Sequence, residues 1–261
     1  VNGRRKTRWI LAATWIALAL SSPPRAQALP AHQERFTDLV VPQNGAFVTS
    51  GAGRPIQVES VEARVRIVDQ TATTTLQVSL RNPSGRLSEA VLLLPVPDGA
   101  VVSSFLFDGP ATEPTAKILP EAEARATYDR IVARVRDPAL LEFAGYRLIR
   151  SSVFPVEPNG AQKVRVTYEH LLERDGERLD YVLPRSESLA VEIPWRIAVD
   201  VEMKAPVSTV FSPTHELEAR RTGPDRFSVR VKSGDGPEPG PFRLAVLEEG
   251  NGVSATLFAY P

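Results

Sequence analysis

The side chains able to do chemistry in this chain are few, and their spacing does not gather them. The three histidines, His32, His170 and His215, lie far apart and share no spacing that would place imidazoles on one metal ion. Glu121 with Glu123, and Glu248 with Glu249, are close carboxylate pairs. A glycosidase needs its two carboxyls facing each other across the substrate, about 5 to 10 Å apart, and neighbours at a helix start or in a turn do not supply that. Ser151, Ser152 and Ser186 have no base near them in sequence, and no Gly-x-Ser-x-Gly elbow occurs. Gly51-Ala52-Gly53 lacks the following lysine of a phosphate loop and reads as a linker. Asp235 lies in a glycine-rich loop with too few oxygen ligands nearby to build a calcium site. Cysteine is absent, which excludes disulfides, thiolate metal sites and cysteine nucleophiles. The expectation is no catalytic, metal or cofactor-binding residue, and no cofactor.

The charges narrow the partners. The 31 basic and 31 acidic residues cancel, but Arg4, Arg5, Lys6, Arg8 and Arg25 all fall in the first 28 residues, which hold no acid. Without that segment 26 basic residues face 31 acidic ones. Such a mildly acidic chain has no electrostatic footprint for nucleic acid.

That first segment reads as an address. A positive stretch is followed by the uncharged, mostly apolar run from Trp9 to Leu20, then by Ser21 to Pro24 and the small-x-small tripeptide Ala26-Gln27-Ala28. These are the three parts of a secretory signal in order. The run of twelve residues is short for a membrane span, which needs roughly 20. Cleavage before Leu29 is therefore expected, with export to the periplasm, cell surface or medium and no stable membrane span afterwards. A retained N-terminal anchor is the alternative.

The elements that would have to position any site are mostly strands. Val61, Ala63, Val65 and Ile67 alternate with Glu62, Arg64 and Arg66, and Leu76, Val78 and Leu80 alternate with Thr75, Gln77 and Ser79. Asn82-Pro83-Ser84-Gly85 is a turn by composition. Residues 90–94 are continuously apolar, as in a strand buried on both faces. Further β signals lie at 146–154, 162–171, 178–183, 190–203, 207–211, 226–232, 242–247 and 253–258. Residues 121–136 change the period. They contain no Gly or Pro, and Ala122, Ala126, Tyr128, Ile131, Val132 and Val135 recur at spacings of two to four. With Pro120 before them and Asp137-Pro138 after, they predict one long amphipathic helix. The expected fold class is mainly β: a β-sandwich with that helix, followed by a further β segment.

Four segments carry a family resemblance: Ala124-Arg125-Ala126-Thr127-Tyr128-Asp129-Arg130-Ile131-Val132, Asp137-Pro138-Ala139-Leu140-Leu141-Glu142, Val153-Phe154-Pro155-Val156 and Val164-Arg165-Val166-Thr167-Tyr168. At this spacing they resemble the VIT (vault protein inter-alpha-trypsin) domain. Phe211-Ser212-Pro213-Thr214-His215 and Phe242-Arg243-Leu244-Ala245-Val246 resemble the β segment that follows it in inter-alpha-trypsin inhibitor heavy chains and their bacterial relatives. The expected organisation has four parts: the signal over 1–28, an entry segment rich in Gly, Pro and Gln over 29–55, and, as the resemblance implies, the VIT domain over 56–173 and a β-rich segment over 174–261. In that family a von Willebrand factor A domain follows, with a metal site on Asp-x-Ser-x-Ser. The motif is absent here, so the chain is expected to be truncated, or a fragment of a longer protein, ahead of an A domain. The loop 137–145 is a helix exit, with a binding loop as the alternative. The function implied is that of an exported, non-catalytic structural or interaction module with a protein or cell-surface partner. The alternative is a hydrolase or protease-related enzyme whose site is assembled only in three dimensions.

Overall fold

Alternation of apolar and polar side chains dominates the sequence, and the backbone follows it. The computed structural model describes residues 36–42, 46–49, 54–108, 115–118, 147–186, 193–232 and 240–250, with 122, 123 and 126. All the described residues belong to one unit, and residues 1–34 lie outside them.

Three sheets are present among the described residues. The first holds β1 (Phe36–Val41), β2 (Ala46–Thr49), β5 (Ser88–Val96), β7 (Thr115–Ile118) and β8 (Arg147–Val156), in the order β2-β1-β5-β8-β7. Strand β5 lies at its centre, parallel to β1 and antiparallel to β8. Its residues from Ala90 to Leu94 are all buried, as the unbroken apolar run requires. The second sheet holds β3 (Gln57–Val68), β4 (Thr71–Arg81), β6 (Val101–Asp108), β9 (Ala161–Leu171), β12 (Trp195–Glu202), β14 (Leu217–Gly223) and β15 (Arg226–Val231), ordered β14-β15-β12-β3-β4-β9-β6. The third is β10 (Glu173–Asp175), β11 (Arg178–Leu183), β13 (Val207–Phe211) and β16 (Phe242–Glu248), ordered β10-β11-β16-β13.

The inner faces of the sheets share one core. Val61, Ala63, Val65 and Ile67 of β3 meet Leu76 and Val78 of β4, Val164 and Val166 of β9, and Ile197 and Val199 of β12. The opposite phase of β3 carries Glu62, Arg64 and Arg66 outward. Strand β12 pairs in parallel with β3, from Trp195↔Val61 to Glu202↔Val68. Strands on either side of the expected division at 173/174 thus share a sheet. The Glu173-Arg174-Asp175-Gly176 stretch forms a tight hairpin between β10 and β11, with Gly176 at a positive φ of 61° that favours glycine.

The expected long amphipathic helix is not found among the described residues. No helical element runs through the described residues. Of the span 121–136 only Ala122, Glu123 and Ala126 are described. They have helical conformation, but Ala122 and Ala126, assigned to the buried face, are exposed. The 3.6-residue pattern at these two alanines therefore does not mark a packed face, and alanine spacing alone is a weak sign of burial. The remaining residues of that span, the loop 137–145 and the signal at 253–258 lie outside the described residues. The fold is mainly β, with stacked sheets and no helical layer among those residues. Strand β14 was not expected: its residues between Leu217 and Gly223 are all exposed, so no apolar alternation announces it.

Candidate functional site

The two described histidines both sit inside the molecule, within one run of rings. His215 meets Phe242 edge-on at 5.5 Å, Phe242 lies 6.3 Å from Tyr181, Tyr181 5.8 Å from His170, and His170 6.2 Å from Tyr168. Strands β9, β11 and β16 supply the central rings because their inward phases meet at one level of the core. Two rings separate the imidazoles, so they hold no shared ligand. Among the described residues no three metal-ligating side chains converge.

His170 is 7% exposed, and its Nδ1 has no hydrogen-bond partner. Burial pushes its pKa down to about 4, so the ring is neutral near pH 7. Thr74 Oγ1 and the Tyr181 hydroxyl are hydrogen-bonded at 3.0 Å. The Tyr168 hydroxyl faces this pair without making a hydrogen bond of good geometry. Burial raises both phenols well above their ordinary range, so neither is a base at neutral pH.

At the other end, Arg185 is buried, with its guanidinium 4.9 Å from the centre of the Trp195 ring. Burial lowers its pKa to about 10, and it remains a cation. Its Nη1 lies 3.1 Å from His215 Nε2. A guanidinium can only donate, so Nε2 accepts and His215 is neutral with its proton on Nδ1. That N–H donates to Thr214 Oγ1 at 2.9 Å, which also accepts the Arg243 backbone N–H at 3.1 Å. Ser212 Oγ accepts the His215 backbone N–H at 3.1 Å. Phe211-Ser212-Pro213-Thr214-His215 is thus a polar clamp that holds Arg185 against the core.

Beside His170 a cleft of about 500 Å³ opens between the Pro97-Asp98 turn, the end of β9 and the four-stranded sheet. Leu172, Leu244 and Ala245 give it apolar walls, and Glu173, Arg178, Asp180 and Arg243 add charge. Arg178 is committed to Asp180 at 2.9 Å. Asp98 accepts from Arg147 at 2.8 Å, and that bond holds its carboxyl below the usual range. Leu171, also on the cleft, is 72% exposed. It belongs to the outer face of the seven-stranded sheet, where the register runs Val68↔Thr71↔Leu171 and sets Val101 opposite Glu169. Val68 and Val101 are 38% and 63% exposed. Val68, Leu171 and Val101 therefore lie along one end of the sheet, on β3, β9 and β6, with Thr71 between the first two and Glu169 facing the third.

The other described residues singled out in the sequence do not assemble. Ser151 is buried and its Oγ has no partner, whereas Ser152 Oγ bonds Glu89. Glu248 is held by Arg174 at 2.6 Å, Glu249 and Glu123 are exposed, and Ser186 is buried with its carbonyl accepting from Gly240. His32, Glu121, residues 51–53 and Asp235 lie outside the described residues. The apolar corner was missed, although it left a signal. Val68 and Leu171 occupy the polar phase of strands that otherwise alternate cleanly.

The chain is thus a mainly β protein whose described polar groups build a framework and whose described exposed large hydrophobic residues, Val68, Val101, Leu106 and Leu171, all belong to the seven-stranded sheet. Residues 58–168 match the Vault protein inter-alpha-trypsin domain, so this stretch of the chain is a VIT domain. No curated protein matches it. Among solved structures, the M1 zinc metallopeptidase of Deinococcus radiodurans is similar at 11% identity and a TM-score of 0.40, over 74% of this chain and 42% of that one. A Legionella pneumophila protein named as a candidate nutrient binding protein is similar at 11% identity and a TM-score of 0.43, over 72% of this chain and 66% of that one. Yeast LTA4 hydrolase, solved with bestatin, gives 11% identity and a TM-score of 0.37, over 74% of this chain and 29% of that one. The chain spans less than half of the metallopeptidase and of the LTA4 hydrolase, and likenesses this remote carry no argument about activity.

Proposed function

We propose that this VIT-domain chain is an exported, non-catalytic interaction module, and that it grips a partner protein through the corner formed by Val68, Val101 and Leu171. The family supports the interaction role. The observation that carries the reading is Leu171, a leucine 72% exposed at the junction of an apolar patch and a cleft. Large side chains in the polar phase of a strand lower solubility unless something covers them, and clustered apolar exposure rimmed by charge marks contact surfaces. The occupant is a partner segment that lays apolar side chains on the corner and reaches into the cleft, where Glu173 and Arg243 lie at the rim. Burying one leucine contributes about 2 kcal/mol, which corresponds to a factor of roughly 30 in affinity.

The test is differential capture. Immobilised chain is exposed to cell-surface and periplasmic extract of the source organism, alongside Leu171→Glu and Arg230→Ala variants. A protein retained by the parent and by Arg230→Ala but lost from Leu171→Glu is the expected result. Identical sets from all three would remove the corner from consideration.

A further inference from the structure

Open edges of β-sheets are templates for unwanted pairing, and proteins blunt them with charge, bulges or short length. Five of the six sheet edges among the described residues are blunted in this way. Strand β14 carries Glu218, Arg220 and Arg221, all exposed, and β10 is the charged tripeptide Glu173-Arg174-Asp175. Strands β2 and β7 are four residues each. Strand β13 is bulged between Val207 and Thr209, and Arg221 Nη2 donates to its Ser208 carbonyl at 2.7 Å. Strand β6 differs. It is eight residues long, has no charge from Val101 to Phe107, and among the described residues pairs on one side only, with β9. Leu106, at its middle, is 52% exposed.

We infer that β6 pairs with β6 of a second copy of this chain, antiparallel and across a two-fold axis at Leu106, joining two seven-stranded sheets. The register against β9 is irregular between Val102 and Ser104 and regular from Ser104 to Asp108. A two-fold centred on Leu106 is the one that pairs this whole regular stretch with itself. It sets Leu106 against Leu106, Phe105 against Phe107 and Ser104 against Asp108. The single charged position then faces serine, not its own copy, so like charges are never opposed. Phe105 and Phe107 already meet edge-on at 5.0 Å within one strand and would extend that contact across the axis. A strand of another protein would need no such self-compatibility. The interface does not involve Leu171, so it stands or falls separately from the partner-binding corner.

The absence of cysteine makes the register directly testable. Directly opposed residues in antiparallel strands have Cα atoms about 4.5 to 5.5 Å apart, within the span that a disulfide bridges. Full-length Leu106→Cys should form a covalent dimer on mild oxidation, and Leu171→Cys should not. In sedimentation the parent should be dimeric, and Leu106→Lys and Leu106→Glu each monomeric. An equimolar mixture of the two should recover the dimer, which a merely misfolded variant would not do. A parent chain that stays monomeric at its highest soluble concentration overturns the inference, as does a dimer indifferent to both substitutions.

Discussion

His170 carries a dependence on acid whose sign follows from its surroundings. Its folded pKa, about 4, lies below the 6.5 of an exposed imidazole, because burial opposes the charged form. Between those two values the unfolded chain binds the extra proton, so stability falls as pH drops below about 6.5 and the loss is complete below about 4. The charged groups around the adjoining cleft are Asp98, Glu173, Arg178, Asp180 and Arg243. The separation of the two pKa values corresponds to about 3 kcal/mol at most. Urea titrations at neutral pH and near pH 4.5 should show His170→Gln losing less stability on acidification than the parent chain. Equal losses would mean that the ring is already solvated in the folded state. At this scale the sequence was partly legible. His170 falls in the same phase of β9 as Val164, Val166 and Tyr168, which puts it inside. The ring it meets from another strand, Tyr181, comes from β11, and no local pattern names that partner.

The turn between β4 and β5 shows how one amide can organise an element. Asn82 is fully buried, and its Nδ2 donates to the carbonyls of Arg86 at 2.7 Å and Val156 at 3.0 Å. Its Oδ1 accepts from the Ser84 N–H at 3.0 Å and the Ser84 hydroxyl at 2.7 Å. Every polar capacity of the side chain is used. Asn82→Ala leaves the Val156 carbonyl without that donor inside the protein, a cost of about 2 to 4 kcal/mol. Asn82→Asp keeps the shape but removes both donors and should cost at least as much. The urea midpoint measures both, and a shift within about 0.5 kcal/mol would show the turn to be held by its backbone bonds alone. Composition announced a turn at Asn82-Pro83-Ser84-Gly85, but not the reach to β8. The alternation in β3 and β4 was legible because one face is buried and the other solvated. Strand β14 was not, because both of its faces meet water, and the helical spacing around Ala122 and Ala126 promised a buried face that these exposed residues do not form.

For the molecule as a whole, the join that sequence could not show is the parallel pairing of β12 with β3, more than a hundred residues apart. Each strand is readable from its own pattern. Which strands become neighbours is decided by how the buried faces fit, and that information is spread over the entire core. The export proposed for this chain belongs to the same scale. The charged and then apolar N-terminus predicts that material recovered from the periplasm or medium begins at or near Leu29. Soluble cytoplasmic protein that still carries Arg4 and Arg5 would end that idea.

Trp195, at the start of β12 and 2% exposed beneath Arg185, gives this processing an optical signature. The chain has three tryptophans, and the other two, Trp9 and Trp15, lie in the segment proposed to be removed. Residues 29–261 carry one indole, buried and paired in register with Val61 of β3. Its fluorescence would be blue-shifted and free of background, and its red shift on denaturation would report the parting of β12 from β3 with no label attached. The unprocessed chain would add the emission of two further indoles to the same spectrum, so a single cuvette could follow both maturation and unfolding.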